Sequence, residues 1–403
     1  MGGSRGGVRL AALGGVLVLW LLLGGAPDAA AQGNLELGPF RILTSLDLSG
    51  EYNDNILLAP RDELDDFIWT ISPGITIELP ARRWALRLGY RADVLRYTDH
   101  SELDTVEHTV QASAQYNSPV GATFSLQEEF RRTQNFAGFP VPELTTRVDR
   151  NENNLRLEGG YQFADRWSVG AFYNFFLVDY DAGAQFDELD RKDHTVGGTL
   201  FYRVLPKTSV LAEYRYQIVR YDIDSVARDR DSDAHFVLVG IKGDLTAKTS
   251  ATVKVGYETK DYDNPARKDF DGLVVEGEIV WKYRDPSQLR LYGGRANIES
   301  TFEGNNFYVA NYGGIELRHY ITPVLILTVR GVVGTNEYPE VVTVEDETKK
   351  RDDTFYEAGV GLRYQIRRWL ALEFNYQYLR RDSNFRDFDY ANNRVIGTVH
   401  LTY

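Results

Sequence analysis

From about position 40 to its last residue the chain alternates apolar and polar side chains in about 18 short segments, and it ends on an aromatic, Tyr403. A period of two sends successive side chains to opposite faces of a strand. In the final segment Val395, Gly397, Val399, Leu401 and Tyr403 share one face, while Arg394, Thr398, His400 and Thr402 share the other. Trp84, Leu86, Leu88, Tyr90 and Val94 stand in the same way against Arg87, Gly89, Arg91 and Asp93. Each segment is near the length a tilted strand needs to cross a bilayer. A closed barrel is one of two backbone arrangements that can cross it, because every peptide group is then paired and no edge is left open. The expected fold is all-β: a transmembrane antiparallel up-and-down β-barrel of about 18 strands, or about 16 if one or two segments are loops.

Composition removes the rivals. Mean hydropathy is -0.36, and the one long apolar run is Leu10 to Leu23, so a polytopic helical protein is excluded. There is no Cys, which rules out disulfide frameworks and thiolate sites. Aromatics make up 13% of residues, 25 of them Tyr, as interfacial girdles require. A soluble sandwich seldom strings so many long hairpins in one domain, and a propeller would show a recurrent repeat that this chain lacks.

The N-terminus reads as an export signal. Arg5 and Arg9 precede the apolar run, and Ala29-Ala30-Ala31 form a small-residue cleavage site before Gln32. The expected organisation is a cleaved signal peptide over 1–31, a short periplasmic segment over 32–39 and an outer-membrane barrel over 40–403. Removing 1–31, with two Arg and one Asp, takes the net charge from -13 to -14.

The connections alternate in kind. Short ones carry turn residues, as in Leu205-Pro206-Lys207-Thr208 and Ile321-Thr322-Pro323; long charged ones include Thr133 to Asn151, Asp181 to Lys192, Asp222 to Asp231 and Thr335 to Asp353. Short turns inside and long loops outside are the asymmetry of bacterial barrels. With both termini on the short-turn side, the strand count is even. Segments near 167–180 and 233–244 alternate less cleanly, since Phe172, Phe176 and Val178 share a face with Ser168 and Asn174.

Charged residues in mid-strand need a wet interior, because Arg at the lipid midplane costs about 2–4 kcal/mol. The inward parity collects the cations Arg87, Arg91, Arg131, Arg156, Arg203, Arg215, Lys254, Arg318 and Arg363, and the carboxylates Asp93, Glu129, Glu158, Glu213, Glu276 and Glu373. Over all strands about 13 charges of each sign are expected inside. Such a wall is either a polar translocation path or a lumen cross-linked by ion pairs. The loop Thr133 to Asn151, with Phe136, Gly138, Phe139, Pro140 and Pro142, is expected to fold inward as a constriction or to pack over the mouth as a lid.

No catalytic constellation is readable. The six His are scattered singly without an HExxH or paired metal spacing, and no phosphate loop or basic aromatic stretch marks a nucleotide or nucleic-acid site. We therefore expect no enzyme, no metal and no cofactor. At the C-terminus Val399, Leu401 and Tyr403 form the apolar and aromatic face expected of a signal for the outer-membrane insertion machinery.

The opening hairpin is more particular. Glu51-Tyr52-Asn53-Asp54-Asn55-Ile56, then Asp66-Phe67-Ile68 and Ile71-Ser72-Pro73-Gly74-Ile75, resembles the start of an outer-membrane β-barrel porin family often encoded beside exopolysaccharide or capsule genes in Gram-negative bacteria. The resemblance implies a barrel for passage or surface display of polysaccharide and carries over no catalytic or binding residues. An exporter of an acidic polymer would line its pore with excess positive charge, which the near balance here opposes. The expected function is a porin-like passive channel for small polar solutes or saccharide in a Gram-negative outer membrane. Its neighbours would be lipid and lipopolysaccharide, the insertion machinery, and export partners if a polysaccharide is the cargo. A structural or adhesive surface barrel with a plugged lumen is the alternative.

Overall fold

The computed structural model describes residues 35–403 apart from 139, 182 and 223–228. The expected signal peptide over 1–31, the first residues of the 32–39 segment and Phe139 lie outside the described residues. The strands are β1 (Leu35–Leu37), β2 (Phe40–Asn53), β3 (Asp66–Pro80), β4 (Trp84–Tyr97), β5 (Thr105–Asn117), β6 (Ala122–Thr133), β7 (Arg150–Gln162), β8 (Trp167–Tyr180), β9 (Arg191–Leu205), β10 (Thr208–Tyr221), β11 (Ser232–Asp244), β12 (Thr249–Tyr262), β13 (Phe270–Arg284), β14 (Ser287–Glu299), β15 (Phe307–Thr322), β16 (Leu325–Val344), β17 (Glu347–Arg367), β18 (Leu370–Ser383) and β19 (Tyr390–Thr402).

Each strand pairs antiparallel with the next, and β19 pairs with β2 through Val399↔Leu48 and Leu401↔Leu46, so β2 to β19 close a ring of 18. Tyr403 completes the seam: its N–H donates to the Thr44 carbonyl at 2.8 Å and its carbonyl accepts from Thr44 N–H at 2.9 Å. The three-residue β1 folds back on the start of β2 through Leu37↔Phe40.

The outer wall carries the apolar parity. Trp69 (58% exposed), Val237 (61%) and Phe374 (53%) stand clear of the protein, which only lipid can make favourable, at about 1.5–3 kcal/mol for each large side chain. The inner face is identified by contacts that skip strands, possible only along the concave side. Arg215 on β10 reaches Glu276 on β13 at 2.6 Å, and Lys254 on β12 reaches Glu213 on β10 at 3.0 Å.

One reading of the sequence needs revision, and one segment of blurred alternation is resolved. The span Thr335 to Asp353, expected as a long loop, is a hairpin extension: β16 and β17 continue in register through Val341↔Lys350 to Val344↔Glu347, past an irregularity after Glu337. Its Val-Val-Thr-Val run is β-branched and its turn is two residues, Glu345 and Asp346, so the charge that suggested a loop sits on a ladder, exposed at its tip and buried at Arg351 and Asp353. On β8 the outward set is Trp167, Val169, Ala171, Tyr173 and Phe175. Phe172 and Phe176 therefore turn inside, Phe172 lying against Gly197 of β9, where a side chain would collide with its ring.

Candidate functional site

Most of the charged residues singled out on the inward parity sit in ion pairs along the inner wall. Arg91 bridges Asp93 (2.7 Å) and Asp47 (3.2 Å), and Ser72 Oγ donates to Asp93. Glu129 lies 3.3 Å from Arg131, which reaches Glu152 at 2.7 Å. Arg156 Nε donates to Glu158 at 2.5 Å. Glu213, Arg215, Lys254 and Glu276 form one cluster over β10, β12 and β13, with contacts of 2.5 to 3.5 Å. Arg87 is 3.7 Å from Glu78, and Arg363 is 3.4 Å from Glu373. Arg203 and Arg318 meet no carboxylate among the described residues, Arg318 lying 5.5 Å from the Tyr320 ring centroid.

Cavities of about 840 and 890 Å³ open along this wall and share Arg156, Asn174, Thr195 and Gln217; one of about 370 Å³ lies against Arg318, Arg363 and Glu373. These are the sizes of sites that hold small molecules, here lined by paired charge and amide groups. Sequence reading missed His400 as a member. Its Nδ1 is 2.9 Å from Asp47 and its Nε2 3.2 Å from Glu373, so one imidazole ties β19 to both neighbours inside the seam. Its even parity in the last strand was the available signal.

The outer mouth is crossed. The connection between β6 and β7, described over 134–138 and 140–149, leaves one side of the ring as a strap and docks on the connection between β14 and β15, eight strands away. Glu143 is 7% exposed there and accepts from Ser300 Oγ (2.6 Å), Thr301 N–H (2.7 Å) and Thr301 Oγ1 (2.8 Å). Arg381 and Tyr390 donate to the Pro142 carbonyl at 2.7 and 3.1 Å, and Arg147 donates to the Ile56 carbonyl. Val141 and Val148 are buried. β13 and β14 separate above Val275↔Arg295, while β14 stays with β15 up to Glu299↔Phe307. Glu299 then faces inward, accepting from Tyr221 of β10 at 2.8 Å and pairing with the buried Lys260 of β12. Glu143, Ser300 and Thr301 carried no signal in the sequence, because only the closed ring brings positions so far apart together.

Behind the strap the outer connections pack as a small core. Arg351, 1% exposed, is held among the rings of Phe302, Tyr338 and Phe388 at 4.7, 4.7 and 4.1 Å and pairs with Asp353 at 2.7 Å. Of the six His, four bond Tyr hydroxyls through Nδ1, in the pairs Tyr90 with His108, Tyr173 with His194, Tyr214 with His235 and Tyr283 with His319. No group of three or more metal-ligating side chains occurs among the described residues.

A family model described as "Putative beta-barrel porin 2" matches residues 27–403. Solved structures similar to the chain include the outer membrane protein opdK from Pseudomonas aeruginosa, at 13% identity and a TM-score of 0.47, covering 90% of this chain and 99% of that one. OccAB4 from Acinetobacter baumannii is similar at 11% identity and a TM-score of 0.48, covering 92% and 100%. No curated protein matches the sequence.

Proposed function

Because the chain belongs to this family of β-barrel porins of the Gram-negative outer membrane, we propose that it passes small polar solutes passively through its lumen, with the strap 134–149 narrowing the outer mouth. The observation that carries this reading is the inner wall, where cations and carboxylates cancel locally in pairs and leave a polar surface with little net field over its middle. Such a wall supports passage of neutral hydrogen-bonding solutes, saccharides among them, and gives neither ion a large advantage. Passage of a polysaccharide rests on the sequence resemblance alone. Porin families are channels rather than enzymes, and transport down a gradient needs no cofactor.

The packed outer core around Arg351 favours a second reading, in which the outer connections are the working part and the barrel displays them. Single-channel recording from folded protein in a planar bilayer separates the two. Stable steps with weak ion preference support the channel. Silence from folded protein, with loss of cell or ligand binding when loop tips are trimmed, supports display.

A further inference from the structure

Charge is separated along the barrel axis. The nine outer connections hold 24 acidic residues against seven cations, whereas the eight inner turns hold six cations, among them Arg82, Arg83, Arg166 and Arg368, against two acids. The inner wall continues this polarity. Near their periplasmic ends the descending strands β9, β11, β13 and β15 each present one inward cation: Arg203, Lys242, Lys282 and Arg318. None has a carboxylate within ion-pair reach among the described residues, in contrast with Arg290 close by, which lies between Glu278 and Glu316. The four form one arc. Arg203 and Lys242 flank Ser209 in a single row of the sheet, and Arg318 faces Gln288 on the strand that also borders β13.

We infer that this arc makes the periplasmic vestibule an entry site for small carboxylate- or phosphate-bearing anions, and that the channel is electrically asymmetric, favouring anions at its inner end and cations at its outer mouth. The inference rests on the reading of the protein as an open channel. Its physical basis is that a cleft lined by one sign of charge raises the local concentration of the opposite ion, while a cation already paired with a carboxylate contributes little. The paired middle of the wall then separates two regions of opposite field.

The test is block of the current by citrate added to one side or the other. Recordings in 0.1 M KCl keep the Debye length at about 10 Å, so that the arc is not screened. Orientation is fixed by Glu347→Cys in the outer hairpin, the sole thiol in a chain without Cys, labelled by an impermeant reagent from one side. Citrate from the inner side is expected to block at about tenfold lower concentration than from the outer side. The variant R203Q/K242Q/K282Q/R318Q should equalise the two sides while retaining conductance. Should it fail to fold, the pair K242E/K282E, altering two exposed side chains, also brings the arc to zero net charge and should likewise equalise the two sides. Equal block from both sides in the unaltered protein overturns the inference, as does an asymmetry that survives the substitutions. A silent barrel overturns the channel reading and this inference with it, whereas steady conductance with symmetric block leaves the channel standing and removes the vestibule.

Discussion

Glu143 shows how much one side chain can settle. It is buried, and its carboxylate accepts from Ser300 and Thr301 on the far wall, so its truncation frees the strap from that wall while Arg381 and Tyr390 still hold the Pro142 carbonyl. Hydrogen bonds to a charged group contribute about 1.5–3 kcal/mol each, which makes this carboxylate a large part of the strap's attachment. Glu143→Ala is expected to leave the ring folded and to raise single-channel conductance or add rapid current fluctuations; unchanged current would show that the strap does not limit passage. Asp190 is a second case, in the connection between β8 and β9. Burial, with Asp179, Asp187 and Asp222 nearby, pushes its carboxyl up from 3.8 to about 6, against the opposing hydrogen bond from the Tyr180 N–H. The folded state thus binds a proton that the unfolded chain has lost, and this stabilisation is present at low pH and disappears as pH rises from about 4 through about 6. Hydrogen exchange at the Tyr180 amide, corrected for its intrinsic pH dependence, should show protection falling over that window, and Asp190→Asn should abolish the trend. A trend that persists in the variant would assign it to another group.

At the scale of elements, the motif that carried the family resemblance turns out to be a clasp. Glu51 holds Arg394 by two bonds of 2.7 and 2.8 Å, Asn392 donates to Asn53 Oδ1 at 2.6 Å, Asn393 donates to Asp54 at 2.7 Å, and Asn55 donates to the Ala391 carbonyl at 3.0 Å. The first and last strands pair over nine residues, against 14 for β9 and β10, so side chains reinforce a short seam. Asn53→Ala and Asn392→Ala should each lower the temperature at which the folded band is lost on a gel, and together cost less than their sum, because either removes the same bond. Strict additivity would show that the two do not act as a pair. Deleting Val399 to Tyr403 removes the inner half of the same seam, including the Tyr403 bonds to Thr44. We predict that this truncation stays in the periplasm and is degraded; normal outer-membrane levels would count against the insertion signal. Most strands were legible because one face meets lipid, and a two-residue period needs no tertiary information. β8 blurred because Phe172 lies over Gly197 on the neighbouring strand, a partnership that alternation within one segment cannot reveal. The β16–β17 extension was hidden by charge, which is compatible with a ladder, exposed at Glu347 and Lys350 and paired inside at Arg351 and Asp353.

For the whole molecule, closure of the ring is what turns scattered letters into a site. Arg215 and Glu276 are 61 positions apart, and Glu143 and Ser300 are 157 apart; parity predicted that the first pair would share a face, and nothing in the sequence predicted the second. The inner wall was therefore largely readable; at the mouth the crossing of the loop between β6 and β7 was expected from Phe136, Pro140 and Pro142, while its anchor on Ser300 and Thr301 was not. Taken together, a paired wall and a strapped mouth predict small conductance with a reversal potential near zero in a salt gradient, and a strong fixed selectivity would contradict the proposed cancellation of charge along the middle of the wall. The parting of β13 from β14 above Val275↔Arg295 bears on how such a mouth could work. Below that point the ladders run on around the ring; above it side chains close the gap, Phe307 of β15 lying edge-on to Phe270 of β13 at 5.5 Å and Glu299 bonding Tyr221 of β10 and Lys260 of β12. The rim is thus held by side-chain contacts and the wall below it by backbone ladders, so substitutions can alter the mouth without breaking the seal against lipid.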